Sequence, residues 1–552
     1  MNKLLEKKNE AVEFEKEMEK ISPFELKNRL IELADESIRK MMRTMLNAGR
    51  GNPNWIATVP REALFVLGEF ALAECRLDWE LPEGFAGIPQ KKGIARRFRT
   101  FLEEKAKSES ATFLGKCVTY MTEEHKADAD ELVHEWAESV TGNQYPVPDR
   151  ILKYCEIAVR DYIAQELCAG RPPQGETDLF ATEGGTAAMC YIFDSLQQNY
   201  LLQNGDSIAL MTPVFTPYIE IPELRRYQYK VTNIHASKMS DEGLHLWQYD
   251  ERELNKLRDT TYKALFLVNP SNPPSYAMDS KSVDMLVDIV TRWNPNLMIV
   301  TDDVYATYIK DFQSIAARLP HNTICVYSFS KYFGATGWRV AVTALHRDNI
   351  FDELLKRLPR KRKAELAQRY GTIRRDVENM RFIDRMVADS RQVALNHTAG
   401  LSLPQQMQMT LFALYSLIDK REGDRFKQKM HEIIDKRLHT LWENMGFTLP
   451  DDALRAGYYS EIDLIVWAKK FYGDDFADYL RLNYSPLDVV YRLATETSLV
   501  VLNGGGFDAP EWSIRVSLAN LKEKDYATIG QNVRRVLDSY AERWKSSLPA
   551  VE

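Results

Sequence analysis

The sequence contains few cysteines, and none of them is placed as metal-binding or redox-active pairs usually are. Six cysteines are scattered over 552 residues, and no two of them form a Cys-x-x-Cys motif. The segment HEWAES, which begins at His134, lacks the second histidine that a zinc-protease helix requires. These absences exclude a disulfide framework and a zinc site of familiar spacing. We therefore expect reduced thiols and no bound metal.

Long apolar runs and a strong charge imbalance are also missing. No run reaches membrane-spanning length, and the first 20 residues are charged throughout, without the apolar core of a signal peptide. The formal net charge of −7 is small and gives no electrostatic basis for binding nucleic acid. The one basic cluster, residues 356–363, is interpreted as a solvated helix face rather than an anion or partner site. The sequence predicts a soluble, cytoplasmic protein with no membrane or nucleic-acid partner.

Short apolar runs dominate the sequence between about residues 150 and 345. Five of them end in polar or turn residues and alternate with helical segments: DLFAT, SIALMTP, ALFLVNP, NLMIVTDD and TICVYSFS. This pattern is typical of buried parallel strands in an α/β fold. Ligands of such sheets bind beyond the carboxyl ends of the strands, so the polar residues there are candidate site residues.

The end of the first run carries a candidate anion site. Gly184, Gly185 and Thr186 stand between a predicted strand and a predicted helix. Backbone N–H groups at a helix N-terminus, with a hydroxyl beside them, can bind a phosphate. The segment is not a P-loop, because no Gly-Lys-Ser/Thr follows, and a tight turn is the alternative interpretation.

Later strand ends add an amide, a carboxylate and a lysine. Asn272 lies in a rigid loop with two Asn-Pro pairs, for which a simple turn is the alternative. Asp302 is followed by Tyr305, and because no histidine or further carboxylate accompanies Asp302 and Asp303, pairing with a cation is favoured over metal binding. Lys331 stands at the last strand end, where a lysine can bond covalently to a carbonyl group.

Together these strand ends suit one cofactor. They offer an anion cradle, an aromatic residue (Phe215), an asparagine, an aspartate–tyrosine pair and a lysine. Ser328 and Arg339 can share a phosphate dianion with the Gly185–Thr186 helix end. Each residue alone has an ordinary structural explanation. The combination predicts pyridoxal 5′-phosphate, which is aromatic, phosphorylated and carbonyl-bearing.

The order of these motifs resembles that of fold-type I aminotransferases of the aspartate aminotransferase class. The matching segments are G-G-T, P-x-F, N-P-x-N-P, D-x-x-Y, S-x-S-K-x-x-x-x-x-G-x-R and R-V-S-L-A, over about residues 145–520. The resemblance implies an α/β fold with a large domain, whose mostly parallel seven-stranded sheet lies between helices, and a smaller α+β domain with helical insertions. The implied division is an N-terminal helical extension at 1–26, the first part of the small domain with an insertion at 27–149, the large cofactor-binding domain at 150–395 with an insertion near 348–395, and the rest of the small domain at 396–552.

The same resemblance implies a role for each matching residue. Lys331 would hold the cofactor covalently, Asp302 would pair with its ring nitrogen, and Phe215 would stack on the ring. Tyr305 and Asn272 would bond the ring oxygen. The implied phosphate contacts are Gly185, Thr186, Ser328, Arg339, with Ser330 as an additional contact and Tyr145 reaching the phosphate of the neighbouring subunit. Arg515 would bind the α-carboxylate of the substrate.

Three further segments are similar to the aspartate 4-decarboxylase family, along essentially the whole chain. They are SPFELKNRLIELA, LNAGRGNPNWIAT and LNHTAGLSLPQQMQM. No arginine stands where aspartate aminotransferases bind the distal carboxylate, and Asn396-His397-Thr398 occupies that region. The resemblance suggests active-site roles for Lys27, Arg50 and Thr398, although a helix surface, a loop anchor and a helix cap are their structural alternatives.

The predicted activity is therefore β-decarboxylation of L-aspartate to L-alanine and carbon dioxide, with a side aminotransferase activity that uses 2-keto acids. One alternative is an aminotransferase without significant decarboxylation. A second is a ligand-sensing regulator, but the first 26 residues are too few for the DNA-binding module that such a protein needs. The resemblance also implies a homodimer that assembles into a larger homo-oligomer.

Overall fold

The computed structural model describes residues 21–41, 45–241 and 243–548. Most of the helical extension predicted for residues 1–26 lies outside the described residues. A seven-stranded sheet in the order β2-β8-β7-β6-β5-β3-β4 forms the centre of the larger part. The strands are β1 Leu46–Asn47, β2 Thr177–Thr182, β3 Ser207–Thr212, β4 Lys230–His235, β5 Tyr262–Val268, β6 Met298–Asp302, β7 Thr323–Ser328, β8 Ala341–His346, β9 Tyr459–Asp463, β10 Leu499–Val500, β11 Leu502–Asn503 and β12 Ser513–Ser517.

The large sheet is mostly parallel, as the resemblance implied. Strands β3 to β7 are parallel to one another, whereas β8 is antiparallel to both β7 and β2. All five apolar runs form strands, and four of them (β3, β5, β6 and β7) have parallel neighbours as predicted, whereas β2 lies at the sheet edge and pairs with the antiparallel β8. The apolar-run pattern missed β4, because this edge strand is partly exposed and polar, and it missed β8, which follows the predicted lysine segment.

Helices cover the sheet and build the rest of the molecule. The longer ones are Pro23–Met41, Val59–Asp78, Ile94–Glu104, Glu109–His125, Ala129–Thr141, Lys153–Leu167, Gly185–Gln198, Ser280–Arg292, Ile350–Arg357, Arg360–Tyr370, Phe382–Ser390, Leu403–Arg421, Arg425–Asn444, Leu464–Tyr472, Asp474–Asn483, Pro486–Thr497 and Glu523–Ser547. Shorter helices span Pro217–Glu223, Glu251–Asn255 and Ile315–Arg318, and 3-10 turns span Lys256–Arg258, Ala306–Tyr308, Thr336–Trp338 and Gly505–Phe507. No helix of the described residues is long and apolar enough to cross a membrane.

Local sequence signals explain where several helices begin. Ser402 caps the Leu403–Arg421 helix in a capping box with Gln405, and Pro404 stands in its first turn. Asp279 accepts a hydrogen bond from the Ser282 N–H at the start of its helix. These side chains satisfy backbone N–H groups that have no partner inside the helix.

A second, smaller core joins the two ends of the chain. Strands β11, β12 and β9 form an antiparallel sheet, and β1 pairs with β10, so residues 46–47 lie beside residues 499–500. Leu26 and Leu30 of the Pro23–Met41 helix are buried in the same cluster as Leu493 and Val516. By contrast, the helices between residues 59 and 141 pack into the core of the large sheet. The four domain boundaries themselves stay predictions.

Candidate active site

A cavity of about 300 Å³ lies at the carboxyl ends of β5, β6 and β7, where the α/β pattern predicted a site. The second core closes it, because Arg515 on β12 forms part of its wall. Eleven of the residues that the sequence singled out line this cavity: Gly185, Thr186, Phe215, Asn272, Asp302, Tyr305, Ser328, Ser330, Lys331, Arg339 and Arg515.

The turn after β2 brings a helix N-terminus next to an arginine. Gly184 has φ +95° and precedes the Gly185–Gln198 helix, and a Cβ on Gly184 would collide with the Arg339 guanidinium. The positive φ favours glycine here, and a larger residue would displace the Arg339 guanidinium from the turn. The Ser328 hydroxyl lies beside this turn and donates to the Ser330 hydroxyl at 2.9 Å. Unpaired helix N–H groups, hydroxyls and a guanidinium together suit a phosphate dianion.

The Asp302 carboxylate is buried and accepts two long hydrogen bonds. It accepts hydrogen bonds from the Tyr218 hydroxyl and the Val304 N–H, each at 3.3 Å. Burial raises the pKa of Asp302 to about 6, although these hydrogen bonds and the charge of Lys331 oppose that rise. A protonated nitrogen placed in the cavity would stabilise the charged form. Asp303 does not line the cavity and instead accepts from Thr301 at 2.5 Å.

The Lys331 amine reaches the loop that follows β1. Its Nζ donates to the Gly51 carbonyl oxygen at 3.0 Å, and the Tyr458 hydroxyl donates to the same oxygen at 2.8 Å. The Tyr305 hydroxyl lies 3.4 Å from the hydroxyl of Tyr459, the first residue of β9. Lys331 therefore lies where the two cores meet.

Arg515 is buried, and one of its three guanidinium nitrogens has no hydrogen-bond partner among the described residues. Its Nη1 donates to Asn272 Oδ1 at 3.0 Å and its Nη2 to the Gly49 carbonyl at 3.3 Å. The side chain is 1% exposed, and Nε has no hydrogen-bond partner among the described residues. A buried guanidinium with a free N–H that lines a cavity is suited to bind a carboxylate.

Glu461 lies beside Arg515 in the small sheet, because the two residues are directly opposite each other on the neighbouring strands β9 and β12. Its Oε1 accepts from the Ser513 hydroxyl at 2.5 Å, whereas Oε2 lacks a hydrogen-bond partner within the described part of the chain. Burial raises the pKa of Glu461 to about 8, although Ser513 and Arg515 act to lower it. The carboxyl therefore retains its proton at neutral pH.

Two more cations lie near Arg515. Burial lowers the pKa of Lys27, and the positive charges of Arg50 and Arg515 lower it further. Lys27 also lies close to the β1 loop, because a Cβ on Gly49 would be 3.4 Å from its Cγ. Neither Lys27 nor Arg50 lines the cavity directly. The mutual repulsion of these cations would be relieved by an anion with more than one charge.

Tyr145 and Thr398 lie outside the cavity of their own chain. Tyr145 is 63% exposed, and the exposed Thr398 donates its hydroxyl to the Leu395 carbonyl at 3.4 Å. Their segments are joined, because Asn396 Nδ2 donates to the Asp149 carboxylate at 2.8 Å. Within one chain, the structure therefore does not bring these two residues to the predicted site.

Several cavity residues were missed by sequence reasoning. Phe24, Gly51 and Tyr459 line the cavity, and Phe24 packs edge-on against Phe215 at 5.8 Å. Phe24 and Gly51 lie in two of the decarboxylase-like segments, but the resemblance gave neither residue a role. Tyr459 ends the Gly-Tyr-Tyr run that enters β9, and adjacent tyrosines entering a short strand place one ring on each face.

Known proteins match both the sequence and the fold. Residues 176–531 match the family model described as Aminotransferase class I and II. The chain is 47% identical over 527 residues to a Pseudomonas protein named bifunctional aspartate aminotransferase and L-aspartate beta-decarboxylase, and the match covers 95% of this chain and 97% of that protein. A probable aspartate aminotransferase of Methanocaldococcus jannaschii is 28% identical over 162 residues, which cover 29% of this chain and 38% of that protein.

Solved structures show the same fold at low sequence identity. The aspartate aminotransferase of Thermus thermophilus with maleate has a TM-score of 0.55 at 16% identity, covering 92% of this chain and 96% of that chain. The aromatic aminotransferase of Pyrococcus horikoshii has a TM-score of 0.54 at 16% identity, covering 93% and 99%. The fold-type I prediction is therefore confirmed.

Proposed function

The chain belongs to the class I and II aminotransferases and, within them, to the aspartate 4-decarboxylases, and from this membership we propose that it converts L-aspartate to L-alanine and carbon dioxide. Aspartate aminotransferase activity accompanies this reaction. The observation that carries the proposal is the 47% identity, along 95% of the chain, to a protein named for both activities.

The cofactor of this family is pyridoxal 5′-phosphate, and the cavity fits it. The glycine turn beside Arg339 and Ser328 supports a phosphate site, because a side chain at Gly184 would fill that space. The raised pKa of Asp302 supports pairing with a protonated ring nitrogen. The remaining residues that would hold the cofactor are Gly185, Thr186, Phe215, Asn272, Tyr305, Ser330 and Lys331.

The cofactor, when bound, supplies an electron-withdrawing ring that accepts the electron pair released at the substrate carbon beside it. Arg515 orients the substrate by binding its α-carboxylate with the planar guanidinium. Lys331 Nζ then takes the proton from the substrate Cα and returns it, as a general base and acid. The buried rings of Tyr305 and Tyr459 exclude water from this exchange.

The distal carboxylate of the substrate is held by charge rather than by a buried clamp. Arg50 is exposed and Lys27 is half-buried, so both can adapt their positions. A tight clamp would stabilise the carboxylate in the ground state, where catalysis gains nothing. A looser contact binds the aspartate side chain and still allows its charge to leave as carbon dioxide.

Assembly of two chains would complete the site. Val147 is 71% exposed and Leu395 is 56% exposed, so each of the two segments that carry Tyr145 and Thr398 offers an exposed apolar side chain to a second copy. In the dimer these two residues would reach the partner's cavity. A second group of exposed apolar side chains in the N-terminal helical part supports a larger homo-oligomer; it comprises Phe65, Leu72, Leu77, Trp79, Leu81, Phe85 and Ile88.

One incubation tests the function. Purified enzyme is mixed with L-aspartate and a 2-keto acid such as pyruvate, and carbon dioxide, alanine and oxaloacetate are measured. We expect carbon dioxide and alanine as the main products, with oxaloacetate as a minor one. Consumption of aspartate without carbon dioxide would support the alternative, an aminotransferase without decarboxylation.

A further inference from the structure

Tyr459 lies close to two of the cations that line the catalytic cavity, Lys331 and Arg515. The residue is 3% exposed and lines the cavity. Its hydroxyl is 3.0 Å from the point where a Cβ on Gly51 would stand, and Lys331 Nζ is 3.1 Å from that same point. The Arg515 guanidinium lies 4.1 Å from the centre of the Tyr459 ring. The phenol is therefore next to both the group that moves protons and the group that orients the substrate.

The surroundings of Tyr459 lower the pKa of its phenol. Burial alone would raise the pKa of this phenol, but the charges of Lys331 and Arg515 and the hydrogen bond from Tyr305 bring it below its ordinary value. Every other described tyrosine with a shifted pKa has it raised. The titratable and charged groups around it are Lys331, Arg515, Tyr305 and Tyr458, with Glu461 two residues further on the same face of β9.

We propose that Tyr459 is a second catalytic acid of this cavity, which donates a proton to the substrate β-carbon when the β-carboxylate leaves. This role rests on the proposed decarboxylation. Lys331 already serves Cα, and a second proton must reach the neighbouring carbon. The Tyr459 hydroxyl lies near Lys331 Nζ and accepts a hydrogen bond from the Tyr305 hydroxyl, so it stands on the Lys331 side of the cavity.

The proton and electron balance of this step is simple. The bond between the β-carbon and the carboxylate breaks, and carbon dioxide leaves without the bonding electron pair. That pair forms a new C–H bond with the proton of the Tyr459 hydroxyl. The resulting phenolate is stabilised between Lys331 and Arg515, and it takes a proton from solvent when the product leaves the cavity.

A pair of variants tests this assignment in the holoenzyme. Tyr459→Phe removes only the hydroxyl, and Tyr458→Phe is the matched control, because Tyr458 is adjacent and buried but its hydroxyl is bonded to the Gly51 carbonyl. General acids contribute about 10²–10⁴-fold. We expect Tyr459→Phe to release carbon dioxide about a hundredfold more slowly while oxaloacetate formation falls far less, and Tyr458→Phe to keep the wild-type product ratio.

A spectroscopic readout separates catalysis from structure. Phenolate absorbance is followed from about pH 7 to about pH 10, the range below and around the ordinary tyrosine pKa. Tyr459→Phe should lack one phenolate that the wild type and Tyr458→Phe both form in this range. If Tyr459→Phe does not fold, the wild-type ratio of carbon dioxide to oxaloacetate still tests the idea, because this ratio should fall as pH rises and the phenol loses its proton.

The outcomes distinguish this proposal from the proposed function. A wild type that releases no carbon dioxide contradicts the function itself. If the wild type decarboxylates aspartate, an unchanged product ratio or an unchanged phenolate absorbance in Tyr459→Phe overturns the role of Tyr459. A product ratio of the wild type that does not vary with pH overturns it as well.

Discussion

Replacement of Glu461 by glutamine should make the enzyme more stable in alkaline solution. The folded protein raises the pKa of this carboxyl from 4.5 to about 8 because of burial. Between these two values the native state keeps the proton and the unfolded chain releases it. The free energy of unfolding of the wild type therefore decreases as pH rises through this window.

The size of this effect follows from the two pKa values. At 1.36 kcal/mol for each pH unit, the loss in the wild type amounts to about 5 kcal/mol once pH exceeds 8. Glutamine has nearly the same shape, keeps an oxygen for the Ser513 hydroxyl and does not ionise. Glu461→Gln should thus match the wild type near pH 5, and near pH 9 its Tm should be higher by about 4 °C for a chain of this length.

Thermal unfolding of both proteins at the two pH values measures this difference. Glu74→Gln is the control, because Glu74 is equally buried but its carboxylate is paired with Arg97, so its replacement should lower Tm at both pH values. Parallel pH dependences of Tm in the wild type and in Glu461→Gln would refute the reasoning. They would mean that Glu461 is already charged in the folded protein.

Three further predictions concern the cavity. Lys331→Ala should abolish both activities and the covalent pyridoxyl label that borohydride reduction leaves on the wild type; peptide mapping that finds the label on another lysine would overturn the assignment. Arg515→Lys should bind the cofactor normally but lose much of kcat/KM for aspartate, since a lysine cannot bind a carboxylate with two parallel hydrogen bonds, and unchanged steady-state kinetics would remove Arg515 from the site. Arg50→Ala or Thr398→Ala should change the alanine-to-oxaloacetate ratio more than the total turnover, because about 1.4 kcal/mol between two barriers changes their ratio tenfold; a constant ratio in both variants would show that neither residue contacts the distal carboxylate.

Much of the fold could be predicted from the sequence because buried parallel strands are short, apolar and regularly spaced. The runs that became β3, β5, β6 and β7 satisfy this rule, and the run that became β2 is equally apolar although its neighbour β8 is antiparallel. Strand β4 does not, since at the sheet edge its exposed face tolerates Lys230 and its partly buried positions tolerate Asn233. A pattern based on apolar runs cannot detect such a strand.

Some residues of the candidate site could be predicted from the sequence, and others could not. Asp302 and Lys331 follow strand ends, so the α/β architecture alone places them at one edge of the sheet. Tyr459 and Phe24 reach the cavity through packing between the two cores, which no local pattern records. The role of Tyr145 depends on a second chain and therefore stays a prediction.

The position of β8 has a consequence for how the protein is made in the cell. This strand lies between β2, which leads to the glycine turn, and β7, which leads to Lys331, although it follows both in the chain. Thr182 pairs with Ala341 about 160 positions later, a distance that a ribosome covers in roughly 8 to 30 s. The two halves of the cofactor pocket cannot come together in this sheet until that stretch has been translated. Arg515 is translated later still. Cofactor capture therefore cannot precede the synthesis of β8, and the substrate site, which needs Arg515, is completed later than the cofactor pocket.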